Sequence, residues 1–149
     1  MNHHRHVIRE AVVATLAAGG TAAGTRVYDH PADPRLTLPA ITVVDVGETQ
    51  SADSMPADAG RPVERGLLLE ISAEVKQVSN YARARDQLLA DIERLLATNP
   101  ISGVKSITPA GYVPVPPDPQ GGGEVPVAIG RQRFRVLYYT TQGDPSSTL

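Results

Sequence analysis

The stretch that most limits the fold runs from Leu67 to Lys76. There Leu67, Leu69, Ile71, Ala73 and Val75 alternate with Leu68, Glu70, Ser72, Glu74 and Lys76. A period of two puts the first set on one face of a β-strand and the second on the other. Such a strand needs a layer to cover its apolar face. Two amphipathic helices can supply it. Ile8, Val12 and Leu16 recur at i, i+4 and i+8, which predicts a helix at about 4–18 that Gly19-Gly20 ends. Further on, Tyr81, Ala84, Leu88, Ile92, Leu95 and Leu96 form a stripe, leaving Arg83, Arg85, Asp86, Asp91 and Glu93 in water. This second helix, at about 80–98, can be capped by Ser79 or Asn80 and stops before Asn99-Pro100.

The remaining segments read as strands and turns. Thr25–Tyr28 is a short β-like piece closed by turn formers. Residues Leu38–Val46 are rich in β-branched side chains. Ile41 and Val43 point one way and Val44 and Val46 the other, as in a central strand covered on both faces. Gly47–Pro62 has no periodicity and reads as a long polar loop. Val104–Val115 is interrupted by Pro109 and Pro114, which favours a sheet edge. Pro116–Gly123 is a flexible tip. The last strand lies within Glu124–Thr141, with Phe134, Val136 and Tyr138 on one face, and Gln142–Leu149 reads as unordered.

The expectation is therefore α+β: one mixed β-sheet with two α-helices packed on it, in the order α-β-β-β-α-β-β. A single domain covers 1–141 and a flexible tail 142–149. Strands joined by a loop should pair antiparallel, and the strand–helix–strand crossover should be parallel and right-handed.

Composition sets outer limits. At 149 residues the chain is sized for one domain. Its 14 Lys+Arg against 16 Asp+Glu give a net charge of -2, which argues against a general nucleic-acid coat. With 1 Phe and no Trp, the core must come from Val, Ile, Leu and Ala. The absence of Cys excludes disulfides, thiolate metal sites and a cysteine nucleophile. No apolar run nears the roughly 20 residues that span a bilayer, so no membrane role is expected. The start, Met1–His6, leads into a stretch broken by Arg9 and Glu10, unlike a signal peptide.

Few residues suggest chemistry. His3, His4 and His6 invite a metal reading, but three histidines within four positions cannot converge on one ion, and no carboxylate completes the set. His30, between Asp29 and Pro31, reads as a turn residue. Gly19–Gly24 superficially resembles a phosphate loop, yet a helix precedes it and a short strand follows, the reverse of what anion binding needs. No Gly-x-Ser-x-Gly elbow is present. Glu70 and Glu74 stand roughly 13 Å apart along a strand, too far to act on one bond, and with Lys76 they read as a solvated face. No metal, cofactor or enzymatic role is expected. The distinctive feature is Arg131, Arg133 and Arg135, spaced about 6.6 Å apart on one strand face, opposite Phe134 and Val136. A row of guanidiniums suits phosphates or a partner's carboxylates as well as plain solvent.

The order of these pieces resembles the phage tail terminator family, which includes the lambda-type minor tail protein U and tail completion proteins. The resemblance rests on Ala17-Ala18-Gly19-Gly20 ending the first helix, then Thr25-Arg26-Val27-Tyr28-Asp29, then Leu38-Pro39-Ala40-Ile41-Thr42-Val43. A polar loop, the alternating Leu67–Val75 strand, the Tyr81–Leu96 helix and a final hairpin with Phe134-Arg135-Val136 follow in the family's order. It extends over about residues 5–141. The resemblance implies a non-enzymatic virion protein at the head-proximal end of the tail, assembled in the host cytoplasm. Such a protein forms a homo-oligomeric, typically hexameric, ring that caps the tail tube, ends its polymerisation and offers a joining surface to the head–tail connector. DNA passes through the lumen without sequence-specific binding. In that setting Ser51, Asp53, Met55, Asp58 and Arg61 would contact the tail tube protein, and Arg131, Arg133 and Arg135 would face the lumen or a neighbouring subunit. The alternative is another small head–tail connector or tail-tube component with a similar α+β layer.

Overall fold

Among the described residues, two helices cover one face of a six-stranded sheet and leave the other face bare. The computed structural model describes residues 3–30, 37–52, 62–76, 78–115, 127–141 and 143–148. Helix α1 spans His4–Ala18, β1 Val27–Tyr28, β2 Ala40–Ala52 and β3 Pro62–Lys76. Helix α2 spans Tyr81–Thr98, followed by β4 Val104–Val115, β5 Val127–Thr141 and β6 Asp144–Thr148. The expected α-β-β-β-α-β-β order and the two-helix, mixed-sheet class hold, with β6 added at the end. The strands run β1-β2-β3-β5-β4, and β6 pairs with the end of β5.

The alternating stretch forms the middle of the sheet. Leu67, Leu69, Ile71, Ala73 and Val75 are buried beneath the helices, together with Phe134, Val136 and Tyr138 from β5. From the helices come Ile8, Val12 and Leu16 and, on α2, Leu88, Leu89, Ile92 and Leu96. All belong to one core cluster. Burying side chains of this size contributes roughly 1.5–3 kcal/mol each. Gly19 shows how closely the helices approach: a Cβ there would lie 2.3 Å from a Leu95 methyl carbon. Gly20, at φ 70°, then takes the left-handed turn that glycine accepts without strain. These contacts account for the glycine pair without a phosphate.

Several expectations are corrected. β1 pairs with β2 in parallel and not antiparallel, the connection between them being longer than the tight turn that antiparallel neighbours need. β2 is not central and covered on both faces. β1 flanks it only at Ile41 and Thr42, Val44 is half-buried on the bare face, and Val46 is 44% exposed. The polar stretch after it is not all loop: Gly47–Ala52 continues β2 and pairs with Val63–Leu68 of β3. The tail from 142 is not wholly unordered, since Thr148 and Asp144 pair with Thr140 and Thr141. Asn80 stands at the start of α2 but makes no side-chain capping bond. Ala84 is exposed, whereas the Arg85 side chain is packed, its stem against Gly130 and its guanidinium 5.9 Å from the Tyr81 ring centre.

The crossover keeps its parallel sense. β3 and β4 are both antiparallel to β5 and therefore parallel to each other, with β5 between them. β4 lies at the edge, as its prolines require. Its register shifts near Lys105 and Ala110, and β2 shifts at Val46. Such bulges blunt exposed edges against unwanted pairing. The tip at 116–123 lies outside the described residues, and no helix among those described is long and apolar enough to cross a membrane.

Candidate interaction surface

The bare sheet face is assembled from alternate residues of four strands. Antiparallel pairing brings Glu70 beside Arg133, Ser72 beside Arg131 and Leu68 beside Arg135. Across the other side of β5, Arg135 pairs with Thr108 and Arg131 with Val113. The three arginines thus share one face, opposite Phe134 and Val136, as their spacing predicts. They are not a free row. Arg133 Nε donates to Glu70 Oε2 at 3.0 Å, and Arg131 Nε lies 3.7 Å from Glu70 Oε1. The Glu70 side chain is only 12% exposed, against 43% for each arginine. Its reading as a solvated residue is corrected, because one carboxylate held between two guanidiniums is screened from water by them. Glu74 likewise accepts a bond from the Thr42 hydroxyl at 3.2 Å. Among the described residues Arg135 makes no ion pair, and it is exposed.

A second acid–arginine cluster lies on the opposite face, under the start of α1, and sequence reasoning missed it. Glu48 Oε1 accepts from Arg65 at 3.0 Å and from Arg5 at 3.5 Å, while Oε2 accepts from the Tyr138 hydroxyl at 2.5 Å. Arg65 Nε also donates to Thr140 Oγ1 at 2.7 Å. The Glu48 and Arg65 side chains are 5% and 10% exposed. Burial, then the bond to Glu48, pushes the Tyr138 hydroxyl well above the usual phenol range. The bulge at Val46 explains the cluster. It inserts one residue into β2 and so inverts the parity of everything after it. Without it Glu48 would face the bare side; with it, Glu48 stands opposite Leu67, toward the helices. The one available signal was Gly47, a glycine inside a strand pattern, which marks bulges.

The histidines go separate ways. His3 caps α1 by accepting from the Arg5 backbone N–H through Nδ1 at 3.2 Å. His4 is buried with its ring centre 5.6 Å from that of Tyr138, and its Nε2 has no hydrogen-bond partner among the described residues. His6 lies 3.2 Å from Glu10. Burial lowers the pKa of His3 and of His4. His30 sits in a turn against Asp29 at 3.0 Å, a bond that holds the exposed aspartate below its usual range.

Of the residues assigned to the tube-contacting loop, Ser51 is exposed on β2 and paired with Glu64. Asp53, Met55, Asp58 and Arg61 lie outside the described residues. Two hollows accompany these surfaces, and both are open. One lies between the ends of the helices, around Ala18, Gly19, Leu95 and Asn99; the other lies beside α1, around Glu10, Val13 and Tyr28.

No family model and no curated protein matches the chain. Among solved structures, a chain from the virion of a native gene transfer agent particle is similar, at 15% identity. The match covers 92% of this chain and 91% of that one, with a TM-score of 0.41.

Proposed function

We propose that this chain is a structural virion protein that caps the phage tail tube, ends its polymerisation and presents a surface to the head–tail connector. The observation that carries the reading is the one-sided sheet. Both helices lie on one face, and among the described residues four strands leave a polar, ion-paired face of full strand length without a layer of its own. A protein built this way works by docking surfaces. The succession of helices and strands is also the one that the sequence resemblance to tail terminators implies.

In this reading copies of the chain form a closed ring, typically six-fold, in which one patch meets a different patch of its neighbour. The end of the β2–β3 hairpin, residues 51–61, meets the tube. Arg131, Arg133 and Arg135 face the lumen or a neighbouring subunit, where partly paired guanidiniums favour acidic groups without reading a base sequence. No cofactor or catalytic step is involved.

Tails assembled without the protein provide the test. Overlong tubes are expected, because growth is no longer stopped. Absence of tubes would make the chain a tube component instead, and tubes of normal length would remove the capping role. Deleting residues 51–60 should reproduce the overlong tubes if that end makes the contact. Changing all three arginines to Gln while retaining ring formation, tail length and DNA passage would exclude them from lumen and interface.

A further inference from the structure

The bare face is charge-ordered in a way that suits a second copy of itself. Along β3 it carries Glu64, Glu70 and Glu74, with Lys76 at the far end, and along the adjacent β5 it carries Arg131, Arg133 and Arg135. An acidic column and a basic column thus run side by side, about 4.8 Å apart. Consider a second copy turned over about a two-fold axis that is parallel to the strands and passes between the columns. Its basic column then lies over the first copy's acidic column, and the reverse. Because Glu70 and Arg133 are level with each other in register, each Glu70 meets the other copy's Arg133. Both pairs form at once, as an isologous contact requires.

We propose that this face is a self-association surface whose occupant is the same face of a second copy, with reciprocal Glu70–Arg133 pairs at its centre. The inference does not rest on the tail role. Size supports it. Four strands about 4.8 Å apart, each about ten residues long at about 3.3 Å per residue, make a face of roughly 20 by 33 Å. Two such faces would remove on the order of 1,300 Å² from water, within the range of specific interfaces. Half-buried Val44, Leu68, Ile129 and Leu137 supply apolar area between the charges. Both helices are on the far side, so the two sheets can stack at the usual ~10 Å separation.

Sedimentation velocity on the full chain tests this. Glu70→Arg and Arg133→Glu should each halve the mass of the wild-type assembly and weaken its association at least about tenfold, because like charges then meet twice. Mixed one to one, the two variants should recover the wild-type mass, since opposite charges meet in both pairs. A structural effect within one chain would not be repaired by mixing. The chain has no cysteine, so crosslinking gives a check that does not depend on charge reversal. Leu68→Cys chains mixed with Arg135→Cys chains should form a disulfide-linked pair in higher yield than either alone. Unchanged mass in both charge variants, no recovery on mixing, or no preference for the mixed crosslink would overturn the proposal. An assembly that keeps its full wild-type mass in every variant would overturn it while leaving the capping role intact.

Discussion

Glu48 and Glu70 occupy opposite faces of the same sheet, and each holds two arginines. Around Glu48 the acid and one of its arginines are out of water, the Glu48 and Arg65 side chains being 5% and 10% exposed, and only Arg5, at 40%, reaches solvent. Around Glu70 the acid is shielded but its arginines are 43% exposed. The difference teaches what each cluster is for. A buried pair is costly to desolvate, and breaking it strands a charge in a low dielectric. A pair whose cations stay wet is worth little to folding and can exchange its partner for one on another molecule. The first cluster fixes the start of α1 to the sheet, and the second belongs to a surface.

The largest expected effect separates the faces at adjacent positions of one strand. Phe134→Ala should cost about 3–5 kcal/mol, because it opens a cavity under both helices, while Arg135→Ala should stay within about 0.5 kcal/mol. Urea denaturation of the two variants checks this. Equal losses would mean that the bare face is not bare. Next in size, Glu48→Gln should cost about 3 kcal/mol, since it leaves Arg65 buried beside a neutral amide. The double variant Glu48→Gln, Arg65→Met should recover part of that loss, because the stranded charge is then gone.

A pH series extends the contrast to the histidines of the covered face. His4 packs with its ring centre 5.6 Å from that of Tyr138, while the neighbouring His3 feels Arg5, Glu48, Arg65 and His4, and burial lowers the pKa of His4 below the ordinary 6.5. The unfolded chain therefore takes up the proton first as pH falls. Stability is fully present above about 6.5 and declines as pH drops below that toward the folded value. His3 is lowered as well and adds to the same slope. Denaturation midpoints between pH 7.5 and 5 should fall, and His4→Phe should flatten the decline while keeping the ring contact. A slope unchanged by that substitution would place the titration elsewhere.

Much of the covered face was legible, because a strict period of two along Leu67–Val75 and a helical stripe along Ile8–Leu16 leave few alternatives. Helix α1 begins and ends where its stripe does. Legibility failed wherever geometry broke the period. The bulge at Val46 turned Glu48 inward, and Gly47 signals a bulge without fixing which residue is the extra one. The parallel docking of β1 on β2 is a tertiary pairing that the pattern of Val27–Tyr28 does not carry. On the bare face the row of arginines was visible from spacing alone, but its acid was not. Which β3 residue lies beside Arg133 is set by the strand register, a tertiary property. The same blindness misassigned Glu70 as solvated and Arg85 as wet.

The smallest effect is the sharpest test of the comparison. Glu70→Gln removes the carboxylate between Arg131 and Arg133, the same chemical change as Glu48→Gln on the other face. Here both cations keep access to water, so the lost attraction is replaced by hydration and the mutual repulsion of the arginines is screened within a Debye length of about 8–10 Å. The cost to folding, measured at a concentration low enough to hold the chain monomeric, should be below about 1 kcal/mol and should shrink further at high salt. A loss as large as that at Glu48, indifferent to salt, would mean that the face is covered within the single chain. It would then be unavailable to any partner.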